Sequence, residues 1–126
     1  MNIVDSSGWL EYFADGPNAR LFEKPIVDIE KLIVPTLSLF EVFRSILRQR
    51  SEDQALQAVA LMQQGHVVEL DTPTALTAAK MSLQYKLPLA DSIILATAVK
   101  YEAILWTQDS DFIGIDGVKY TAKKNR

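Results

Sequence analysis

The sequence predicts an α/β fold: a mostly parallel sheet of four to five strands with helices covering both faces. Three observations carry that expectation. Short apolar runs of β-branched character alternate with longer stretches of helical periodicity, the pattern of strand–helix–strand units. The strand-like runs are apolar at nearly every position, as strands buried on both faces are. The chain has 126 residues, 48% of them hydrophobic, so one ordinary domain (1–126) can enclose a core without staples.

Residues 2–5 (NIVD) read as a first buried strand ending at an aspartate. Ser6, Ser7 and Gly8 follow, and a serine there is expected to cap a helix carrying Trp9, Leu10 and Phe13. The stretch Asp15-Gly16-Pro17-Asn18 breaks it, and Pro17 is expected to open a short second helix with Leu21 and Phe22 inward. Residues 32–35 (LIVP) read as a second strand. Thr36 or Ser38 then opens a long helix through Leu39, Phe40, Phe43 and Leu47. A further helix over 52–64 stops at Gly65. Residues 67–70 (VVEL) form a third strand. Asp71-Thr72-Pro73 opens a helix to about Tyr85, and Pro88 divides it from another over Ala90 to Tyr101. Residues 103–106 (AILW) read as a fourth strand, Thr107 to Phe112 as a polar loop, and 118–121 as an edge strand. There is no internal repeat or low-complexity segment, and only the tail Lys123-Lys124-Asn125-Arg126 is biased.

Composition removes several classes of chemistry. There is no cysteine, so disulfides and thiolate metal sites are excluded, and with His66 the sole histidine a catalytic zinc centre is not expected. A metal would need oxygen ligands, which points to Mg²⁺, Mn²⁺ or Ca²⁺. The opening MNIVDSSGWL lacks a basic segment followed by a long apolar one, so no signal peptide is expected. No apolar run approaches roughly 18 residues, so no membrane span is expected and a cytoplasmic protein is the default. A net charge of −3 argues against attachment to nucleic acid by bulk charge.

Ligands of open α/β sheets bind beyond the carboxyl ends of the strands. Asp5 ends the first strand there, and Asp109 and Asp111 follow the fourth. Glu41 sits inside an apolar helix (SLFEVFRSIL), and Asp91 opens another (LPLADSIILATAV). Each acid has an ordinary reading alone: a helix-dipole partner for Asp91, solvation or pairing with Arg44 or Lys31 for Glu41, capping for the others. Together, four separate segments each deliver an acid to one region of one sheet. Clustered carboxylates raise one another's pKa values and need a cation to stay ionised. Mg²⁺ or Mn²⁺ fits, and either activates water for phosphodiester hydrolysis.

An aspartate in D-S-S after strand one, a glutamate on the helix after strand two, A-D-S-I-I-L-A-T-A, and T-Q-D-S-D-F after strand four stand in that order. This resembles the PIN-domain ribonucleases, specifically the VapC toxins of toxin–antitoxin pairs, over nearly the whole chain. The resemblance implies a PIN-like three-layer α/β/α domain and a metal-dependent endoribonuclease. It implies that Asp5, Glu41, Asp91 and Asp109 are the catalytic metal ligands, that Asp111 is a fifth acid, and that Ser7 and Thr107 are supporting hydroxyls. It further implies an RNA substrate such as tRNA, a VapB-type antitoxin and a homodimer. Of the two aspartates in T-Q-D-S-D-F, Asp109 is expected inward because it comes sooner after the strand, with Asp111 binding through water or capping the next turn.

Arg44 and Arg48 share a helix face with Glu41 and suit either phosphate contact or plain solvation. Trp9 and Tyr12 could stack an RNA base, though core packing is the expectation, as it is for Trp106. His66 is given no catalytic role, and the basic tail is expected to be solvated. The helices over 36–64 are apolar around much of their circumference, which suits a homodimer or a surface that receives an antitoxin helix. Other readings are a different Mg²⁺-dependent phosphoryl hydrolase or a DNA nuclease, and a non-catalytic, receiver-like metal-binding module. The module ranks below the enzyme because no lysine directly follows AILW.

Overall fold

The computed structural model describes residues 1–125; Arg126, the last residue of the basic tail, lies outside the described residues. Among the described residues, the strands β1 (Asn2–Val4), β2 (Leu32–Pro35), β3 (His66–Val68), β4 (Ile104–Thr107) and β5 (Val118–Tyr120) form one sheet in the order β3-β2-β1-β4-β5. Every pairing is parallel. Helices α1 (Ser6–Phe13), α2 (Ala19–Val27), α3 (Thr36–Gln49), α4 (Glu52–Met62), α5 (Thr72–Tyr85) and α6 (Leu89–Lys100) connect the strands.

The order explains the layers. Right-handed crossovers from β1 to β2 to β3 place their helices on one face, and the return to β4 on the far side of β1 places α5 and α6 on the other. Two cores follow from the alternation of side chains along each strand. Ile3, aligned with Ile33 and with Leu105, packs with Ile94, Leu95 and Phe112. Val4, aligned with Trp106, packs with Trp9, Phe22, Val42 and Met62. Trp9 is therefore a core residue, as is Trp106, whose indole N–H donates to Asn2 Oδ1 (2.9 Å).

Several element boundaries differ from the sequence expectation. No serine caps α1: Asp5 is its N-cap residue, and Ser6 and Ser7 lie in the first turn, where their hydroxyls serve the site instead. Asn18, not Pro17, stands at the start of α2, and Pro25 is accommodated inside that helix near its end. At α5 the expected cap is present, with the Asp71 carboxylate accepting from the Thr74 N–H (2.9 Å). Within α3, Val42 is fully buried while Phe40 is 62% exposed. No helix of the described residues is long and apolar enough to cross a membrane.

Candidate metal centre

The order in which strands are added reverses between β1 and β4, and the crevice beyond their carboxyl ends is where open α/β sheets bind ligands. Asp5 leaves β1 at that point. Its N–H donates to Trp106 O (2.9 Å), continuing the ladder one step past the strand, and its carbonyl accepts from Gly8 and Trp9 to begin α1. The carboxylate is 4% exposed. Oδ2 accepts from Ser7 Oγ (2.8 Å) and Thr107 Oγ1 (3.0 Å). Both hydroxyl hydrogens point at Asp5, so the 3.4 Å separation of the two hydroxyl oxygens is packing. Burial pushes the Asp5 carboxyl above the usual range, and these donors oppose the rise.

Thr107 serves a second acid. Its Oγ1 accepts from the Asp109 N–H (2.9 Å), so one buried hydroxyl links the ends of β1 and β4. Asp109 Oδ1 in turn accepts from the Asp111 N–H (2.9 Å) and caps the short 3-10 turn Ser110–Phe112. The capping role expected of Asp111 thus falls to Asp109, because the residue before the turn meets its free N–H groups. Asp91 enters from the first turn of α6. Carboxylate oxygens of Asp91, Asp109 and Asp111 lie within 4.8 Å of one another. Asp109 is half-buried and Asp111 exposed, so both aspartates of the loop reach the cluster from different depths.

Burial, then the charge of Asp109, then that of Asp5, push the Asp91 carboxyl up to about 8. A carboxyl–carboxylate hydrogen bond to Asp109 adds to the rise. Glu41 is not among the three clustered acids but lies close enough to Asp5 to feel its charge. Its Oε1 accepts from Ser6 Oγ (2.7 Å), and burial raises its pKa, with a contribution from the Asp5 charge. Among the described residues the ion pair is Lys100 with Asp71, so Glu41 pairs with neither Arg44 nor Lys31. Arg44 instead borders an apolar hollow with Leu39, Phe40, Phe43, Leu47 and Val59, and Arg48 is exposed.

The donor set suits a hard divalent cation. It is all oxygen, three carboxylates lie within reach of one ion, and Asp91 shows the cost of leaving their charge uncompensated. Sequence reasoning did not single out Ser6, Glu11, Asn18 or Gln108. Glu11, Asn18 and Gln108 are all buried, and their partners lie up to 104 residues away. Ser6 carried a signal in its adjacency to Asp5; the others carried none.

The profile of the PIN domain family matches residues 3–118. A toxin–antitoxin complex from Klebsiella pneumoniae superposes with a TM-score of 0.82 at 22% identity, covering 98% of this chain and 100% of the other. The toxin VapC20 of Mycobacterium tuberculosis, described as cleaving the Sarcin-Ricin loop, gives 0.74 at 15%, covering 89% and 92%. VapBC2 from Rickettsia felis, bound to a DNA fragment from its promoter, gives 0.75 at 8%, covering 96% and 97%. At these identities the likeness to solved structures is one of fold. No curated protein sequence matches the chain.

Proposed function

The chain belongs to the PIN-domain family, and from that premise we propose that it is a metal-dependent endoribonuclease, the toxin of a VapBC-type toxin–antitoxin pair. The observation that carries the reading is the convergence of Asp91, Asp109 and Asp111 beside Asp5 where the strand order reverses. In this reading Asp5, Glu41, Asp91 and Asp109 are the catalytic acids, Asp111 assists, and Mg²⁺ or Mn²⁺ is the cofactor. The bound cation supplies charge neutralisation at a phosphodiester and an activated water.

The chain's own residues prepare for that role. Ser7 and Thr107 hold Asp5 by two hydrogen bonds that favour its ionised form. Ser6 orients Glu41, and Thr107 ties the Asp109 backbone to the Asp5 carboxylate. No histidine is needed as base: His66 begins β3, at the opposite end of the sheet, with its Nε2 on Glu30 O (2.9 Å).

RNA is the substrate of this reading because the family resemblance is to ribonucleases, and tRNA and rRNA loops are the classes to try first. Arg44 and Arg48, exposed on the helix that bears Glu41, would meet substrate phosphates. A VapB-type antitoxin is supported by the toxin–antitoxin complexes among the structural neighbours and by the exposed Phe40 and Leu47. The exposed leucines 76, 83 and 89 on α5 and α6 support a homodimer. The proposed location is the cytoplasm.

The test is incubation of total RNA with antitoxin-free protein and Mg²⁺, Mn²⁺ or EDTA, beside Asp5→Asn and Asp91→Asn. Metal-dependent cleavage, absent in both folded variants, is expected. Turnover of DNA or small phosphate esters instead of RNA would redirect the reading to another phosphoryl hydrolase. Metal binding without any turnover would make the protein a binding module.

A further inference from the structure

We propose that Asn18 and Gln108 are positioning residues of the metal centre, members of a closed ring of hydrogen bonds that fixes Ser7, and through it Asp5, before any cation binds. The proposal rests on the metal-centre reading above. The ring begins at Glu11, buried in the last turn of α1, whose Oε2 accepts from the Asn18 N–H (2.7 Å). Asn18 is 3% exposed, and its Nδ2 donates to Gln108 Oε1 (3.0 Å) and to Ala122 O (3.1 Å). Gln108 follows β4 directly. Its side-chain amide donates to Ser7 O (3.5 Å) and its backbone N–H to Ser7 Oγ (3.3 Å). Ser7 and Glu11 lie four residues apart on α1, one turn of a rigid helix, so the ring closes on itself.

The direction of donation matters more than the number of bonds. Ser7 Oγ accepts from the Gln108 N–H, which orients its lone pair toward β4 and its hydrogen toward Asp5 Oδ2. Serine hydroxyls otherwise rotate to suit whatever is near. The Gln108 side chain sets where that backbone N–H stands, and Asn18 sets the Gln108 side chain. Gly16 makes room for the ring: a Cβ there would lie 2.3 Å from Glu11 Oε1. Buried amides are costly unless satisfied, and these are satisfied by one another and by the site. Partners that orient metal ligands typically govern metal affinity by about 10-fold or more.

Mn²⁺ titration of the full chain, followed by electron paramagnetic resonance, tests the ring with Gln108→Met, Asn18→Ala and the double variant. Each single variant is expected to weaken Mn²⁺ binding about 10-fold, and to lower kcat for RNA with KM little changed. The double variant is expected to bind like the weaker single one, because the ring acts as a unit. Ala78→Gly in α5, remote from the site, is expected to lower Tm with Mn²⁺ affinity unchanged. The rise in Tm on adding Mn²⁺, taken from each variant's own metal-free value, extends the test to variants that lose stability. Wild-type affinity in both folded single variants, or equal weakening in Ala78→Gly, would overturn the positioning role. Absence of Mn²⁺ binding by the wild-type chain would overturn the metal-centre reading itself, and the ring's role with it.

Discussion

Asp91→Asn should make the metal-free protein more stable at alkaline pH while abolishing what the site is proposed to do. Asp91 rises from 3.8 to about 8 in the fold, chiefly through burial and the charges of Asp109 and Asp5. The folded state therefore holds a proton that the unfolded chain has released, and wild-type stability falls as pH climbs from 3.8 to about 8. At about 1.4 kcal/mol for each pH unit, a sealed carboxyl would lose roughly 6 kcal/mol across that window. Asp91 is partly exposed to solvent, and screening leaves about a third of that, roughly 2 kcal/mol. Asparagine keeps the shape and removes the charge. Its Tm at pH 9 without metal should exceed the wild type's by roughly 5–10 °C, with no gain at pH 4. Saturating Mn²⁺ should reverse the order: the wild type gains about 2.7 kcal/mol at one hundred times the dissociation constant, and the variant gains little. Thermal melts at the two pH values, with and without Mn²⁺, read all four numbers. A variant less stable than wild type at pH 9 without metal, or equally stabilised at pH 4, would refute the electrostatic account.

Thr107→Val removes a fully buried donor from Asp5 and leaves the Asp109 N–H unpaired, so it should cost about 1–3 kcal/mol at neutral pH, the opposite sign to Asp91→Asn. Calorimetry should also show Mn²⁺ affinity about 10-fold lower; unchanged melting and affinity would remove Thr107 from the site. Gly8→Ala places a methyl 2.7 Å from the Phe22 ring and 2.8 Å from Val4 Cγ1, both in the core. Overpacking of that kind costs about 1–3 kcal/mol in urea unfolding, and a neutral result would mean that α1 shifts freely over β1. Phe40→Ser and Leu47→Ser, both at exposed positions, should leave stability within about 0.5 kcal/mol while weakening capture of a cognate antitoxin helix; retained binding in a pull-down would move the antitoxin surface elsewhere.

What the sequence made legible was what local physics decides. Strands in the middle of a covered sheet are apolar at nearly every position, so the runs around Ile3-Val4, Leu32–Val34 and Leu105-Trp106 stood out before any pairing was known. Asp71 before Thr72-Pro73 reads as a helix start because its carboxylate reaches an N–H three residues on. Asp5 misled for the same reason in reverse: its carboxylate is held by Ser7 and Thr107, so the residue at the N-cap position makes no side-chain cap, and the serines expected to cap lie inside the helix. The acids of the cluster were visible because carboxylates are scarce on apolar elements. The ring through Glu11, Asn18 and Gln108 was not, because an amide beside Pro17 looks like any turn residue until Gln108, 90 residues on, is brought beside it.

The position of β1 also bears on when the site comes into being during synthesis. The first strand to leave the ribosome is the middle strand of the sheet, and one of its two neighbours, β4, is not made until residues 104–107. Asp5 waits 102 residues for the Thr107 hydroxyl that fixes it, and longer for Asp109 and Asp111. A nascent chain carrying Asp5 and Glu41 holds neither the cluster nor the covered edge of β1. The centre therefore assembles only once β4 and the turn after it have been made, and a chain arrested before β4 has no centre.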